Sequence, residues 1–343
     1  MIIKVINPIQ HPQWNQRIAE LNDATIFHTS SWTRVLAETY GYQPVYIAAF
    51  KSKQLVGYLP LMEIRSIATG RRCVSLPFTD ECHPVCTTVE VFEKIWTHAL
   101  NFGNKVGWKY IELRGEYSVY SEEPIIASYL VHCLDLNTTE TDLCKRFRES
   151  TYRNITKSKE SGVKIECTNS IQALDAFYKL NCLTRKRHGL PPQPKRFFIN
   201  LYKYIITTDR GFILTAEQKG SVIASAVFLR FNGIVTFKYG ASDLRHQHLR
   251  ANNLILWEAI KRSIQEGNSQ FHLGRTETEN EGLLQFKRGW GAIEDRINYY
   301  KYNMVDQEFS RKKMKIKSSY SLFKIMPLTL LKLFGQILYR HVG

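Results

Sequence analysis

A short stretch near the C-terminal end, QFKRGWG at residues 285–291, combines positive charge with large apolar rings. Its two cations, Lys287 and Arg288, stand between Phe286 and Trp290 and are followed by two glycines. Aromatic neighbours lower the local dielectric constant, which strengthens the field of a cation. Such a group can stabilise negative charge that develops on a carbonyl oxygen. A second interpretation is that the two rings, four residues apart, anchor a helix end in the core while the cations extend into solvent.

Another candidate site lies in TRKRHGLPPQPKRFF, residues 184–198, where a basic run leads into a proline-containing loop. The guanidinium of Arg187 can bind two phosphate oxygens at once, and His188 stands beside it. Both side chains also suit the C-terminal end of a helix, where cations compensate the helix dipole, and Gly189 is a typical stop signal. The two interpretations both stay open.

The overall composition is that of a basic globular protein. The chain has 343 residues, 44% of them hydrophobic, and a formal net charge of +16, so that a sizeable core and two domains are expected. Residues 311–343 alone hold eight Lys or Arg and no acidic residue. Such charge attracts RNA, phosphorylated substrates or an anionic membrane face, although a solvated basic surface without a partner is the alternative.

The cysteines indicate a reducing compartment. There are seven, irregularly spaced, and the first 15 residues do not resemble a signal peptide, so we expect a cytoplasmic protein. The cluster Cys82–Cys86 has a spacing that metal sites use, but no second pair completes four ligands. We therefore expect no metal.

An internal repeat defines the organisation of the chain. Residues 45–61 and 212–229 each read as strand, polar turn and strand. In both copies a further strand, a helix at 91–102 or 252–265, and another short strand follow. The offset is about 160 to 165 residues, and each copy is preceded by helical material, at 14–21 and 32–39 in the first and at 145–161 and 171–188 in the second.

This order predicts the fold class: a mixed α/β protein with two copies of one domain and a cleft between them. Helix, helix, antiparallel strands, helix and strand is the element order of a GNAT-type acyltransferase domain. We place the first GNAT-like domain at residues 1–148 and the second at 149–305. Residues 306–343 form a basic C-terminal tail.

The second copy lacks the feature by which GNAT enzymes hold acetyl-CoA. Those enzymes bind the pyrophosphate on a glycine-rich turn at a helix N-terminus, whereas this chain reads HQHLRANNLILW at 246–257. Side chains on Arg250, Ala251 and Asn252 would crowd a phosphate that must approach the backbone. An ordinary cradle for CoA is therefore not expected here.

The tandem copies and the missing glycines resemble the FemABX family, aminoacyl or acyl transferases built from two GNAT-like domains. Well-known members move an amino acid from aminoacyl-tRNA to an amine of a peptidoglycan precursor. The resemblance covers most of the chain, and its motifs are the basic helix and strand at 152–165, the Arg-His-Gly and proline loop at 184–198, the strand, loop and helix at 238–260, and the segment at 271–291 that ends in a Phe-Lys pair.

The resemblance implies roles for several residues of the second copy. Lys287, beside Phe286, would lie at the reacting acyl group and act as a catalytic residue, with Trp290 as a further contact. Arg187 and His188 would contact a diphosphate group of the acceptor. The remaining substrate-binding candidates are Arg153, Lys157, Tyr239, Asn253 and Arg275, although packing accounts equally well for the tyrosine and helix capping for Asn253.

In the first copy, SSWTRVLAETYGYQP resembles the family's entry helix, which implies that Arg34 contacts the acceptor. The family often has an aspartate after the strand that here reads YIELRGEY, but this chain has Gly115 at that point, followed by Glu116. An amine nucleophile must lose a proton. We expect Glu116, or groups of the substrate itself, to accept it.

The C-terminal tail has the pattern of a basic amphipathic helix. Lys324, Lys332 and Arg340 lie on one row, and the opposite face carries Met326, Leu330, Leu333, Phe334, Ile337 and Leu338. The apolar run is too short to span a bilayer. Such a helix either lies on an anionic membrane surface or packs on the first domain.

The favoured function is an N-acyltransferase that forms an amide on an amine of a cell-envelope peptide or saccharide precursor. It would bind no resident cofactor and would use aminoacyl-tRNA or acyl-CoA as co-substrate. Transfer from acyl-CoA or an acyl carrier protein in polysaccharide synthesis is the alternative within enzymes. An RNA-binding protein without catalysis is the alternative of another class, favoured by charge but lacking a recognisable RNA-binding module. A lipid-linked precursor and a peripheral position at the membrane are compatible with the tail, and no DNA partner is expected.

Overall fold

The computed structural model describes residues 1–21, 23–67, 69–314 and 320–342. The chain forms two compact units. The first contains residues 1–129, 296–316 and 337–343, and the second contains residues 130–295 and 317–336. The units are interleaved in sequence, and the domain boundaries predicted at 148 and 305 stay a prediction.

Most elements belong to one unit only. The elements of the first unit are β1 (Ile2–Ile6), α1 (Trp14–Ala19), α2 (Ser30–Tyr40), β2 (Gln43–Pro44), β3 (Tyr46–Lys51), β4 (Gln54–Leu59), β5 (Met62–Ser66), β6 (Gly70–Val74), β7 (Val85–Cys86), α3 (Val89–Val106), β8 (Tyr110–Arg114) and β16 (Glu308–Phe309). The second unit contains α4 (Glu140–Lys145), α5 (Glu149–Glu160), β10 (Lys164–Cys167), α6 (Ile171–Arg187), α7 (Lys195–Leu201), β11 (Gly211–Gln218), β12 (Ser221–Phe231), β13 (Ile234–Ser242), α8 (Ala251–Gln265), β14 (Gln270–Glu277), α9 (Glu281–Arg288) and α10 (Ser321–Ile325). Residues of both units are found in β9 (Ile125–Asp135), β15 (Ile293–Asn303) and α11 (Leu328–Val342).

In the first unit, β1, β3, β4 and β7 form an antiparallel sheet. Strands β15, β8, β6, β5 and β2 lie side by side in this order in a second sheet. The pair β6 and β8 is parallel, as a connection through α3 requires. Helix α3 buries Phe92, Ile95 and Ala99 at helical spacing against strand residues such as Ile47 and Ile111. This packing forms the core of the unit.

The second unit repeats the plan. Strands β10 to β13 are antiparallel neighbours, and β14 pairs with β13 in parallel, with α8 as the connection. Leu254 and Ile260 of α8 pack against strand residues such as Phe212 and Phe228. The recurrence of hairpin, strand, helix and parallel strand confirms the predicted mixed α/β fold with two GNAT-like copies.

The helical segment predicted at 145–161 contains a break, because α4 ends at Lys145 and α5 begins at Glu149. The reason lies between them, where the ring of Phe147 is buried against Trp257 and Trp290, with centroids 5.5 and 5.1 Å apart. Burial of this ring outweighs continuation of the helix.

The C-terminal segment is helical, as predicted, and Pro327 separates α10 from α11. The buried positions of α11 are Leu331 and Gly335, whereas the predicted apolar face includes exposed residues such as Leu333. Two of the tail's basic residues, Lys315 and Lys317, lie outside the described residues. No helix in the described part of the chain is long and apolar enough to cross a membrane.

Candidate functional site

Helix α9 places Lys287 inside the second unit. The side chain of Asn280 caps the helix by accepting from the Leu283 N–H at 3.2 Å. Leu284 and Lys287, three residues apart, form its buried face, and Lys287 is only 3% exposed. Its Nζ donates to the carbonyl oxygens of Gly274 and Arg275 in β14, at 2.6 and 3.2 Å. These two dipoles offset the desolvation of the ammonium, so Lys287 does not extend into solvent.

The aromatic residues on either side of Lys287 have different positions. Trp290 is fully buried in the core of the second unit, 6.2 Å from the Phe286 ring between centroids. The structure therefore gives Trp290 a packing position, as in the second interpretation of the motif. Phe286 is half-buried and lines two neighbouring cavities. Of the two rings, Phe286 is the one that faces open space.

A charged network that the sequence analysis missed lies close to Lys287. Arg288 donates to both carboxylate oxygens of Glu294, at 2.7 and 2.9 Å, and this contact holds the pKa of Glu294 below its usual range. The buried ring of His132, in β9, lies 2.9 Å from Glu294 through Nε2. Among the described residues its Nδ1 has no hydrogen-bond partner.

The electrostatics of this network favour a neutral histidine. Burial lowers the pKa of His132, and the positive charge of Lys287 lowers it further, against the opposing effect of Glu294. When the Nε2–H donates a hydrogen bond to the Glu294 carboxylate, the Nδ1 of the neutral ring carries a lone pair. His132 stands in YLVHCLDL, which has no recognisable motif. Only the fold brings it to Lys287.

The larger of the two cavities joins the end of α6 to α8, α9 and β13. It has a volume of about 360 Å³, and Arg187, His188 and Phe286 line it together with apolar residues such as Phe237 and Leu256. The structure thus brings three predicted site residues together within the second unit. Burial lowers the pKa of His188, as do the neighbouring cations, of which Arg187 has the largest effect.

The smaller cavity, of about 130 Å³, lies at the N-terminus of α8 and shares Phe286 with the larger one. Asn253 lines it and is buried. The residue before the helix, Arg250, adopts a left-handed backbone with φ of 58° and provides no side-chain cap. A glycine would adopt this conformation without strain, so the arginine side chain occupies a position that a glycine-rich phosphate turn would leave open.

The other candidates of the second unit lie outside these cavities. Tyr239 packs among the rings of Phe197 and Phe198, at centroid distances of 6.1 and 5.4 Å. Arg275 contributes its backbone carbonyl to Lys287. Arg153 and Lys157 are exposed on α5, where Arg153 lies 3.6 Å from a Glu149 oxygen. Their roles as substrate contacts stay predictions.

In the first unit, Arg34 is half-buried in α2 and donates to the carbonyl of Ile9 at 3.3 Å. Glu116 follows β8, is exposed, and accepts a hydrogen bond from the side chain of Asn298. It lines a cavity of about 580 Å³ whose other acidic residues are Glu20, Asp23 and Glu81. Among the described residues no group of three or more His, Cys, Asp or Glu side chains is arranged to hold a metal.

The geometry also explains why glycine precedes Glu116. Gly115 has φ of 114°, and a Cβ there would lie 2.9 Å from the Glu81 side chain and 3.0 Å from Cβ of His83. This φ value strains any residue with a side chain, and the neighbouring atoms leave no room for one. The aspartate that the family resemblance implies therefore cannot occupy position 115. The nearest carboxylate along the chain is one residue later.

Comparisons with known proteins identify the second copy most clearly. Residues 145–288 match the family described as "Acetyltransferase (GNAT) domain". The chain is 25% identical over 143 residues to the UDP-N-acetylmuramoylpentapeptide-lysine N(6)-alanyltransferase of Weissella viridescens. That alignment covers 40% of this chain and 42% of the relative. The chain thus matches less than half the length of this curated relative.

Solved structures show the fold over a much longer span. The crystal structure of FemX matches with a TM-score of 0.68 at 10% identity, covering 87% of this chain and 97% of the other. L-PGS from Bacillus licheniformis matches with 0.56 at 11% identity over 97% and 98% of the two chains. A tandem GNAT protein from the clavulanic acid pathway matches with 0.55 at 11% identity over 88% and 98%. The comparisons confirm the resemblance that the motifs indicate: residues 145–288 are similar to a GNAT acetyltransferase domain, and the fold of the chain resembles that of FemX.

Proposed function

We propose that this protein is an N-acyltransferase that forms an amide bond on an amine of a cell-envelope precursor. The observation that carries the proposal is the buried ammonium of Lys287, held by two carbonyls next to Phe286 and its cavities. A fixed positive donor in a protected site is what acyl transfer requires, because negative charge develops on the former carbonyl oxygen.

The proposed reaction joins an amine to the acyl group of an ester. The nitrogen of a neutral amine attacks the carbonyl carbon of an acyl ester, and the C–O double bond opens to a tetrahedral oxyanion, which a Lys287 N–H stabilises. The oxyanion then re-forms the carbonyl and expels the ester oxygen, which takes up a proton. The amine nitrogen loses a proton to a general base, so that the products are an amide and an alcohol.

We favour aminoacyl-tRNA as the acyl donor. An arginine stands where a glycine turn would have to receive the pyrophosphate of CoA, whereas a tRNA is held mainly through its phosphates by exposed cations. Exposed Arg153 and Lys157 of α5 suit that contact. The cavity beside Phe286 is large enough for a small aminoacyl group.

For the acceptor we propose a diphosphate-linked peptide or saccharide. Arg187 and His188, at one end of the cavity of about 360 Å³, provide a guanidinium and an imidazole for phosphate oxygens. The name of the Weissella viridescens relative also contains a UDP-linked acceptor, with a lysine side chain as the amine. The proposed phosphate contacts and the amine acceptor of the relative together support an envelope precursor as the acceptor of this protein. A lipid-linked form would bring a cytoplasmic protein to the inner face of the plasma membrane.

In the first unit, we assign Glu116 as the general base and Arg34 as an acceptor contact. The cavity that Glu116 lines has four carboxylates in a protein with a net charge of +16. Carboxylates attract an ammonium group and can take its proton. Replacement of Glu116 by Gln, with Glu20→Gln at the same cavity as the control, separates these roles: only the first should lower the rate at saturating acceptor.

A direct experiment supplies the purified protein with envelope precursors and labelled donors, aminoacyl-tRNA in one set and acyl-CoA in the other. The proposal predicts a mass increment on the precursor only with aminoacyl-tRNA, at a site that tandem mass spectrometry locates on an amine. Transfer from acyl-CoA to a saccharide amine would support the second enzymatic alternative, for which the GNAT match is the specific observation. Tight tRNA binding without any transfer would favour a non-catalytic RNA-binding protein.

A further inference from the structure

Residues 320–336, the part of the C-terminal helices that belongs to the second unit, present an apolar surface to solvent. Leu322 and Ile325 of α10 and Leu330, Leu333 and Phe334 of α11 form what we call the outer apolar face. Ile325 is 79% exposed, Leu322 61% and Leu333 52%. Exposed apolar residues in a contiguous group mark an interaction site more often than isolated ones do.

The packing of α11 within the unit does not use this face. Its contact is made by the opposite side, where Leu331 is fully buried and Gly335 lies directly against the carbonyl of Pro192. The start of α10 is held by a hydrogen bond from the Tyr320 N–H to the Gly189 carbonyl at 3.0 Å. The helices are thus attached through other residues, and the outer apolar face is left for a partner.

The C-terminal segment that carries this face has formal charges of one sign. Residues 309–343 contain no Asp or Glu, and exposed Lys324 lies between the two apolar residues of α10. Lys324 also belongs to the group of cations, with Arg187 and Arg185, that lowers the pKa of His188. The end of α6 and the C-terminal helices therefore form one positive field.

We propose that the outer apolar face docks on an anionic lipid surface, with its leucines and Phe334 inserted between headgroups and Lys324 bound to lipid phosphates. An apolar stripe bordered only by cations is the pattern of an interfacial helix, and each cation near an acidic membrane adds to binding. A second copy of the chain fits poorly, because two such faces would bring like charges together. A surface-lying helix also agrees with the length of α11, which is too short to span a bilayer.

This docking gives the proposed reaction a location. The bond between Tyr320 and Gly189 ties α10 to the residue after His188, which lines the cavity of about 360 Å³. A lipid-linked acceptor bound there would have its diphosphate close to the membrane surface. The inference deepens the proposed localisation, but lipid binding itself does not depend on the chemistry at Lys287.

The experiment measures cosedimentation of the full chain with vesicles of phosphatidylcholine, with and without phosphatidylglycerol. We expect binding to the mixed vesicles only, weakening as salt is added. Leu333→Glu should reduce the partition coefficient by about tenfold or more, because a leucine that inserts into the lipid is replaced by a negative charge. Lys324→Gln should reduce it by about fivefold.

The control is Val305→Glu, which introduces the same charge at an exposed apolar residue of the first unit, 81% exposed, and should leave binding unchanged. Transfer to a soluble acceptor, measured in parallel, should be the same for Leu333→Glu and wild type, so that loss of catalysis and loss of docking are distinguished. Equal binding of wild type and Leu333→Glu would overturn the inference. A dimer in lipid-free solution that Leu333→Glu converts to monomer would also overturn it, in favour of self-association.

Discussion

At the scale of single residues, the central feature is a charged lysine inside a folded unit. Lys287 is compensated by the carbonyls of Gly274 and Arg275 rather than by a carboxylate. Carbonyl dipoles orient an ammonium without neutralising it. The nearby carboxylate of Glu294 is instead engaged by Arg288 and His132. This division leaves the lysine as a positive centre suited to an oxyanion.

Gly115 gives a test at the same scale. Replacement by alanine adds a Cβ at φ of 114°, 2.9 Å from Glu81, and should destabilise the protein by about 2–4 kcal/mol. Urea denaturation measures this loss. The matched control is Gly107→Ala, which also has positive φ, 77°, but no atom within 4 Å, and should lose only about 1 kcal/mol. Equal losses would show that crowding at Glu81 does not restrict position 115.

A local motif can be recognised in the sequence, as with the Phe-Lys pair and the Arg-His-Gly turn, whose roles stay predictions. Residues that only the fold brings together cannot be recognised in this way. His132 is an example, since its contact with Glu294 joins residues 162 positions apart. The burial of Trp290 depends on Phe147 in the same way, and the sequence left its role open.

At the scale of elements, a local ion pair stabilises the loop at Asp243, which lines the cavity beside the N-terminus of α8. Asp243 accepts a backbone hydrogen bond from Arg245 at 3.0 Å and pairs with the Arg245 guanidinium at 2.6 Å. The guanidinium contact, followed by the backbone bond, lowers the pKa of Asp243 from its ordinary value of 3.8 to about 2. The folded state therefore favours the ionised carboxylate.

The sign of the resulting pH dependence follows from this depressed pKa. The stabilisation is fully present above the unfolded pKa of 3.8 and is lost as the pH falls through the folded value of about 2. Asp243→Asn should remove about 1–2 kcal/mol at neutral pH, since solvent screens the exposed arginine. Stability curves of both proteins from pH 6 to pH 2 should converge as the pH decreases. Parallel curves would contradict the assignment.

The contact of α11 with Pro192, made at Gly335, provides a second prediction at the scale of elements. A side chain at Gly335 would collide with the Pro192 carbonyl, which lies 2.0 Å from the position of its Cβ. Gly335→Ala should therefore displace the helix, lower the melting temperature by several degrees and increase proteolysis after residue 320. Gln336→Ala, at the exposed neighbouring position, should change neither. An unchanged melting temperature for Gly335→Ala would argue against close packing of Gly335 on Pro192.

At the scale of the whole molecule, duplication explains why the sequence predicted the fold well. Each copy contains a hairpin and a parallel pair joined by a helix, α3 in one and α8 in the other, and periodicity identifies such elements reliably. The compact units are nevertheless interleaved in sequence, an arrangement that no local pattern signals. The C-terminal helix illustrates the same limit, because amphipathicity identified its two faces but not which one is buried.

The most direct test of the account is acyl transfer by Lys287→Met, measured with labelled aminoacyl-tRNA and a precursor amine. Methionine keeps the length and removes the charge, and Lys219→Met, at an exposed turn, is the matched control. The account predicts a loss of about 100- to 1,000-fold in kcat, with tRNA affinity and the thermal transition retained, and a wild-type rate for the control. A Lys287→Met protein that folds and transfers at the wild-type rate would contradict it.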